Sequence, residues 1–121
     1  MKLLKIVLAS LFGMSLAQAQ NTLSPQDYVA KLKQMPKAQL VDVRTPDEYN
    51  NGHLQAAKLI NYNGPDFKQQ TEKLDKNKPV FVYCAAGGRS AKAAKILTEA
   101  GFKEVYNLSG GYQDLVKQGI K

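Results

Sequence analysis

The only cysteine of the chain, Cys84, begins a short segment whose composition suits chemistry at sulfur or with anions. Four small residues follow Cys84, and Arg89 is the only cation of the segment. The backbone N–H groups of such a loop can turn inward around one point, and a helix that begins near Arg89 would direct its positive N-terminus there. Hydrogen-bond donors and positive charge favour the thiolate, which is the nucleophilic form of cysteine. We therefore predict that Cys84 is catalytic.

The residues after Cys84 form the predicted binding loop for the reacting group. The loop comprises Ala85, Ala86, Gly87, Gly88, Arg89 and Ser90. Its glycines permit backbone conformations that other residues rarely adopt and allow the chain to approach a ligand closely. A serine nucleophile needs an activating base, so Ser90 is expected to cap the helix instead.

Strands and helices that alternate along the chain must position this loop. Strands are predicted over 39–43, 58–62, 80–83 and 104–108, and helices from Pro25 to about Met35, from Pro46 onwards, and over 66–74, 89–100 and 113–118. The segment 21–24 is interpreted as a polar lead-in. Residues 80–83 are continuously apolar or aromatic, as is typical of a strand buried on both faces of a parallel sheet. The alternation predicts an α/β domain with a largely parallel sheet and helices on both faces.

Residues 1–19 have the pattern of a cleavable signal peptide. Lys2 and Lys5 precede an apolar run over 6–16, and small residues stand at Ala17 and Ala19. The run is too short to cross a bilayer, so no stable membrane insertion is expected after cleavage. We therefore expect a signal peptide over 1–19, a domain over 20–121, and a periplasmic or secreted protein.

The length of 121 residues fits one domain, and the net charge of +7 is spread along the chain. Because no run of five or six like charges occurs, nucleic acid is not an expected partner. The positive balance instead eases the approach of small anions. One cysteine forms no internal disulfide, and a thioredoxin-type oxidoreductase would need a second cysteine.

Three segments resemble signatures of the rhodanese-like sulfurtransferases, and they stand in that family's order between residues 24 and 115. The segment VYCAAGGRSAKAA is similar to the family's active-site loop. LVDVRTPDEYNNGHLQAAKLINY resembles its upstream signature, in which Asp-x-Arg ends a strand, and NLSGGYQDL resembles its closing Gly-Gly-aromatic turn. The resemblance implies a rhodanese-like α/β fold with a mostly parallel central sheet of about five strands and helices on both faces.

The resemblance also implies an activity, that of a thiosulfate sulfurtransferase type of enzyme. Cys84 would take the outer sulfur of thiosulfate or a persulfide, become a persulfide, and pass the sulfur to cyanide or a thiol. Neither a metal nor an organic cofactor is implied. Many thiosulfate-using relatives carry a basic residue directly after the cysteine or within the loop, where this chain has only alanine and glycine before Arg89. That departure leaves low-molecular-weight or protein persulfides open as donors. A protein acceptor of the sulfur is also left open.

Upstream polar residues are expected to support the site. Asp42 and Arg44 match the family's Asp-x-Arg, and we interpret them mainly as a structural pair because buried charges are normally paired. Direct contact with substrate is the alternative. Glu48 is expected to cap its helix or to pair with Arg44. The resemblance implies a structural role for His53, because the turn Asn51-Gly52-His53 matches a family turn whose histidine is structural. His53 also lacks partners for a metal site, which needs three or four ligands.

Two other functions compete with an exported sulfurtransferase. Phosphatases of related fold use a cysteine, a loop and an arginine, but their loop is one residue longer and a histidine usually precedes the cysteine. Here four residues separate Cys84 from Arg89, and Tyr83 precedes the cysteine. A non-enzymatic sulfur carrier or binding module with the same fold is the other alternative.

Overall fold

Five strands form one parallel sheet in the computed structural model, which describes residues 21–120. The strands are β1 (Thr22–Leu23), β2 (Gln39–Asp42), β3 (Lys58–Leu59), β4 (Val80–Tyr83) and β5 (Val105–Leu108). Their order across the sheet is β1-β5-β4-β2-β3, so β4 is central, and each neighbouring pair is parallel. The predicted α/β class and parallel sheet are confirmed. The predicted signal peptide and Gln20 lie outside the described residues.

Within residues 21–120, five helices connect or follow the strands: α1 (Pro25–Gln34), α2 (Pro46–Asn50), α3 (Phe67–Thr71), α4 (Gly88–Glu99) and α5 (Gly111–Lys117). Side chains fix the start of the first two. Ser24 accepts a hydrogen bond from the N–H of Asp27, and Thr45 forms a capping box with Glu48. No helix within 21–120 is long and apolar enough to cross a membrane.

The core consists of two apolar clusters, one on each face of the sheet. Successive side chains of a strand point to opposite faces. Val80 and Val82 of β4 pack in the cluster that contains residues of α3 and α4, whereas Phe81 and Tyr83 pack in the cluster that contains residues of α1 and α5. All four are fully buried. The helices therefore cover both faces of the sheet, and β4, which ends directly before Cys84, is buried on both.

The structure corrects several predicted bounds. Residues 22 and 23 form the edge strand β1, paired with Asn107 and Leu108, and are not a lead-in. The strand predicted over 58–62 ends at Leu59, but the N–H groups of Ile60 and Tyr62 still donate to the carbonyls of residues 42 and 43. Helix α3 is shorter than predicted, and α4 and α5 begin at Gly88 and Gly111.

Candidate active site

Cys84 lies directly after β4, and its thiol sulfur is surrounded by hydrogen-bond donors. The residue is only 1% exposed. Its Sγ accepts hydrogen bonds from the N–H of Gly87 at 3.0 Å and from the N–H and Oγ–H of Ser90 at 3.4 and 3.3 Å. A negative sulfur at this position would be solvated by the protein in place of water.

These donors decide the ionisation of the thiol. Burial raises the pKa of Cys84, because the charged form loses water. Hydrogen bonds from the side chain and backbone of Ser90, and from the backbone of Gly87 and Ala86, lower the pKa and outweigh burial, so the net pKa is below the ordinary value of a cysteine. The loop therefore favours the nucleophilic form of the only cysteine in the chain.

The predicted role of Ser90 as a helix cap is wrong. Helix α4 begins one residue earlier than predicted, and its N-cap is Gly87, whose φ is +112°. Ser90 is thus the third residue of the helix, fully buried, and its hydroxyl lies within hydrogen-bonding distance of Cys84 Sγ and the carbonyl of Gly87. The side chain serves the sulfur instead of the end of the helix.

The closing turn of the chain holds the outer side of the loop. The N–H groups of Tyr112 and Gln113, in the first turn of α5, donate to the carbonyls of Cys84 and Ala85 at 2.8 and 3.0 Å. Gly111 lies so close that a Cβ there would be 2.3 Å from the carbonyl oxygen of Ala85. The loop carbonyls are therefore bound on the outside while loop N–H groups face the sulfur. Sequence reasoning assigned no such role to this turn, although its two adjacent glycines are a signal for close approach.

Arg89 is held by a carboxylate from another element. Its Nη1 and Nη2 donate to Oε1 and Oε2 of Glu48 at 2.8 and 3.0 Å. The predicted pairing of Glu48 with Arg44 is therefore wrong, whereas its predicted part in capping α2 is present. The bond to Arg89 lowers the pKa of Glu48 to about 2, against the opposing effect of burial, and Thr45 contributes further hydrogen bonds.

Asp42 and Arg44 form a buried pair at the carboxyl end of β2. Arg44 Nε donates to Oδ1 and Oδ2 of Asp42 at 2.9 and 3.1 Å, and Nη2 donates to Oδ2 at 2.6 Å. The same Nη2 donates to the carbonyl of Gly52 at 2.7 Å, and the guanidinium lies 4.4 Å from the ring centroid of Tyr112. These contacts are those of a brace between β2, the segment after α2, and α5.

His53 is placed by contacts with its own neighbourhood. Its ring stacks on that of Tyr49 with centroids 3.7 Å apart, and Nδ1 is 2.8 Å from the carbonyl oxygen of Tyr49. Within residues 21–120 no three His, Cys, Asp or Glu side chains are grouped as metal ligands. The described site therefore combines a cysteine sulfur that accepts several hydrogen bonds with an arginine bound to a carboxylate.

Comparison with known proteins agrees with this geometry. Residues 25–118 match the family model of the Rhodanese-like domain. The chain is 38% identical over 93 residues to the uncharacterized protein YqhL of Bacillus subtilis, covering 77% of this chain and 70% of that one. It is 42% identical over 74 residues to the thiosulfate sulfurtransferase GlpE of Coxiella burnetii, and the match covers 61% of this chain and 67% of GlpE. The crystal structure of a rhodanese-related protein from Thermoplasma volcanium shares the fold, with a TM-score of 0.74 and 24% identity. The match covers 84% of this chain and 96% of that one.

Proposed function

Since this chain belongs to the rhodanese-like domain family, we propose that it is a sulfurtransferase that carries a sulfane sulfur as a persulfide on Cys84. The observation that carries the proposal is the set of three hydrogen bonds to Cys84 Sγ from Gly87 and Ser90. Donors arranged in this way stabilise negative charge without reorganisation when the charge forms or moves by one sulfur atom. Gly87 and Ser90 are among the site residues predicted from the sequence, and the catalytic role of the predicted residues stays a prediction.

In the first step, the Cys84 thiolate attacks the outer sulfur of the donor. A new S–S bond forms to Cys84, the old bond to the outer sulfur breaks, and its electron pair leaves with sulfite if the donor is thiosulfate or with a thiolate if the donor is an alkyl persulfide. In the second step, the acceptor attacks the same sulfur. Cyanide leaves as thiocyanate and a thiol leaves as a persulfide, and each restores the Cys84 thiolate with no net oxidation.

Mass spectrometry of the intact protein tests the first step. The protein is exposed separately to thiosulfate and to glutathione persulfide, and we expect a gain of one sulfur atom that maps to Cys84. Cys84→Ser is the matched control and should gain none, since it is the only cysteine of the chain. A wild-type protein that gains no sulfur from either donor would contradict the proposed function.

Steady-state formation of thiocyanate separates an enzyme from a sulfur carrier. An enzyme turns over many times with thiosulfate or a persulfide as donor and cyanide as acceptor, whereas a carrier is loaded once and releases its sulfur slowly. The same preparation should hydrolyse no aryl phosphate. Hydrolysis of phosphoesters without sulfur uptake would favour a phosphatase.

Export is a separate part of the proposal, and it is supported by the sequence of residues 1–19 alone. We expect the exported chain to begin at Gln20 and to be found in the periplasm or outside the cell. N-terminal sequencing of the protein recovered from each fraction tests this. A chain that keeps Met1 and stays in the membrane fraction would refute it.

A further inference from the structure

The charge that the active-site loop offers to a substrate is already balanced by Glu48. Arg89 is the only cation between residues 84 and 90, and both of its terminal nitrogens donate to the Glu48 carboxylate. Planar two-bond pairing of this kind is the strongest arrangement that an arginine makes with a carboxylate. An incoming anion therefore meets a neutral pair, and it has to compete with Glu48 for the guanidinium.

The Arg89–Glu48 pair adjoins the loop that holds Cys84 Sγ, and it is partly exposed to solvent. Arg89 directly precedes Ser90, whose N–H donates to Cys84 Sγ at 3.4 Å. The hydrogen bond from Arg89 to Glu48 raises the pKa of Arg89 against the opposing effect of burial, and the charges of Glu48 and then of Cys84 raise it further. The side chains of Arg89 and Glu48 are 26% and 33% exposed, whereas Cys84 itself is buried. The pair is therefore accessible to solvent beside the buried thiol.

The ionisation of Glu48 makes this balance permanent at physiological pH. Its pKa of about 2 lies far below neutral, first because of the hydrogen bond from Arg89. Thr45 also donates its N–H and hydroxyl to Oε1, which fixes the carboxylate in place by its own helix cap. Glu48 is thus a fixed negative charge beside the active-site loop, and Arg89 and Thr45 hold it from two sides.

We infer that Glu48 is a specificity-determining residue of the sulfur-donor site, and that it selects donors whose reacting end carries at most one negative charge over dianionic thiosulfate. The inference rests on the proposed sulfurtransferase function. Thiosulfate carries two negative charges beside the sulfur that Cys84 attacks, whereas an alkyl persulfide carries at most one. Glu48 repels thiosulfate more strongly than it repels a singly charged persulfide. It also pairs with the Arg89 guanidinium, which would otherwise attract the dianion.

Glu48→Gln is the variant that tests this inference. A glutamine oxygen can still accept the hydrogen bonds from Thr45, since glutamine serves in capping boxes as glutamate does. Removing one charge a few ångströms from a dianion should raise kcat/KM for thiosulfate about tenfold, and for a singly charged alkyl persulfide about threefold or less. The rate with thiosulfate should also fall more steeply with added salt in the variant than in the wild type.

Asp47→Asn is the matched control. Asp47 is exposed on the same helix, so its replacement removes the same charge without changing the contacts of Arg89. We expect the ratio of the two donors' kcat/KM values to stay at the wild-type value. Glu48→Ala, checked for folding by circular dichroism, should change the ratio in the same direction as Glu48→Gln and guards against an effect peculiar to glutamine.

The outcomes separate this inference from the proposed function. A wild-type protein that takes sulfur from either donor, combined with a donor ratio that Glu48→Gln leaves unchanged or shifts toward persulfide, overturns the role of Glu48 alone. A shift of equal size in Asp47→Asn also overturns it, because the effect would then be general electrostatics. Absence of sulfur uptake in every variant and with both donors overturns the proposed function, and the inference falls with it.

Discussion

The left-handed backbone of Gly87 links the stability of the fold to the ionisation of the thiol. Its φ is +112°, and its N–H donates to Cys84 Sγ at 3.0 Å. In Gly87→Ala the new Cβ would approach the nitrogen of Gly110 at 3.6 Å and the carbonyl oxygen of Leu108 at 3.8 Å, which are ordinary van der Waals contacts. The substitution therefore costs conformational energy and creates no collision.

The expected cost follows from that conformation. A residue with a Cβ pays about 1–2 kcal/mol in a left-handed conformation. In a domain of this size each kcal/mol lowers the melting temperature by about 4–8 °C. If the loop relieves the strain by rotating the Gly87 peptide, the N–H leaves the sulfur, and loss of one donor at a reacting anion costs about 10²–10³ in rate. We therefore expect a lower melting temperature, a higher pKa of Cys84 and slower sulfur transfer.

Gly88→Ala is the matched control for Gly87→Ala. No heavy atom lies within 4 Å of a Cβ at Gly88, and its φ is outside the left-handed region. Alanine is a better helix former than glycine by about 1 kcal/mol in a helix interior, so the control should be at least as stable as the wild type. Its N–H groups are unchanged, so the pKa of Cys84 should stay near the wild-type value.

Two measurements decide between the variants. Thermal denaturation gives the change in stability, and the ultraviolet absorbance of the thiolate as a function of pH gives the pKa of Cys84. The chain has one cysteine, so the thiolate signal has one source. Two results would contradict the role of the left-handed turn in directing the Gly87 N–H at the sulfur. One is a Gly87→Ala variant with the wild-type melting temperature and Cys84 pKa, and the other is a Gly88→Ala variant in which both change as much as in Gly87→Ala.

Three further substitutions test the parts that hold the thiol. Ser90→Ala removes the hydroxyl at 3.3 Å from the sulfur and should raise the pKa of Cys84 in the same absorbance titration, whereas an unchanged pKa would assign the effect to the backbone alone. Gly111→Ala places a Cβ 2.3 Å from a loop carbonyl and should lower the melting temperature far more than Gly119→Ala, which has positive φ in open space. Asp42→Asn leaves the buried charge of Arg44 without its carboxylate and should lower the free energy of unfolding, measured in urea, by about 3–5 kcal/mol. The double variant that also carries Arg44→Met should recover part of that loss.

The predictable part of the structure lies where a local pattern and the tertiary environment agree. Residues 80–83 are apolar at every position because β4 is covered on both faces, so the pattern identified the central strand directly. Because that strand ends at Tyr83, the sequence also predicts that Cys84 and the small residues after it form a loop at the carboxyl end of the strand. The fold class followed from the alternation of elements, which needs no contact information.

The parts that sequence reasoning missed depend on contacts between distant segments. Thr22 and Leu23 are too few to show a periodic pattern, and they form a strand because β5 offers them a free edge. Glu48 and Arg89 are 41 residues apart, so their pairing depends on how α2 and the loop meet. The role predicted for Ser90 is wrong because α4 starts one residue earlier than predicted. The end residues of a helix are the least certain feature of a sequence pattern.

The three motifs that resemble family signatures are joined by one series of contacts. Asp42 holds Arg44, the Arg44 guanidinium lies over the ring of Tyr112, and the N–H of Tyr112 donates to the carbonyl of Cys84. The Asp-x-Arg segment therefore reaches the thiol through the closing turn, without a direct contact to the sulfur being required. Burying an ion pair costs free energy unless its hydrogen bonds are satisfied. Here the contacts of Arg44 with Tyr112 hold α5, and α5 in turn holds the loop after Cys84. The loop whose N–H groups donate to Cys84 Sγ is thus held, through α5, by the buried Asp42–Arg44 pair.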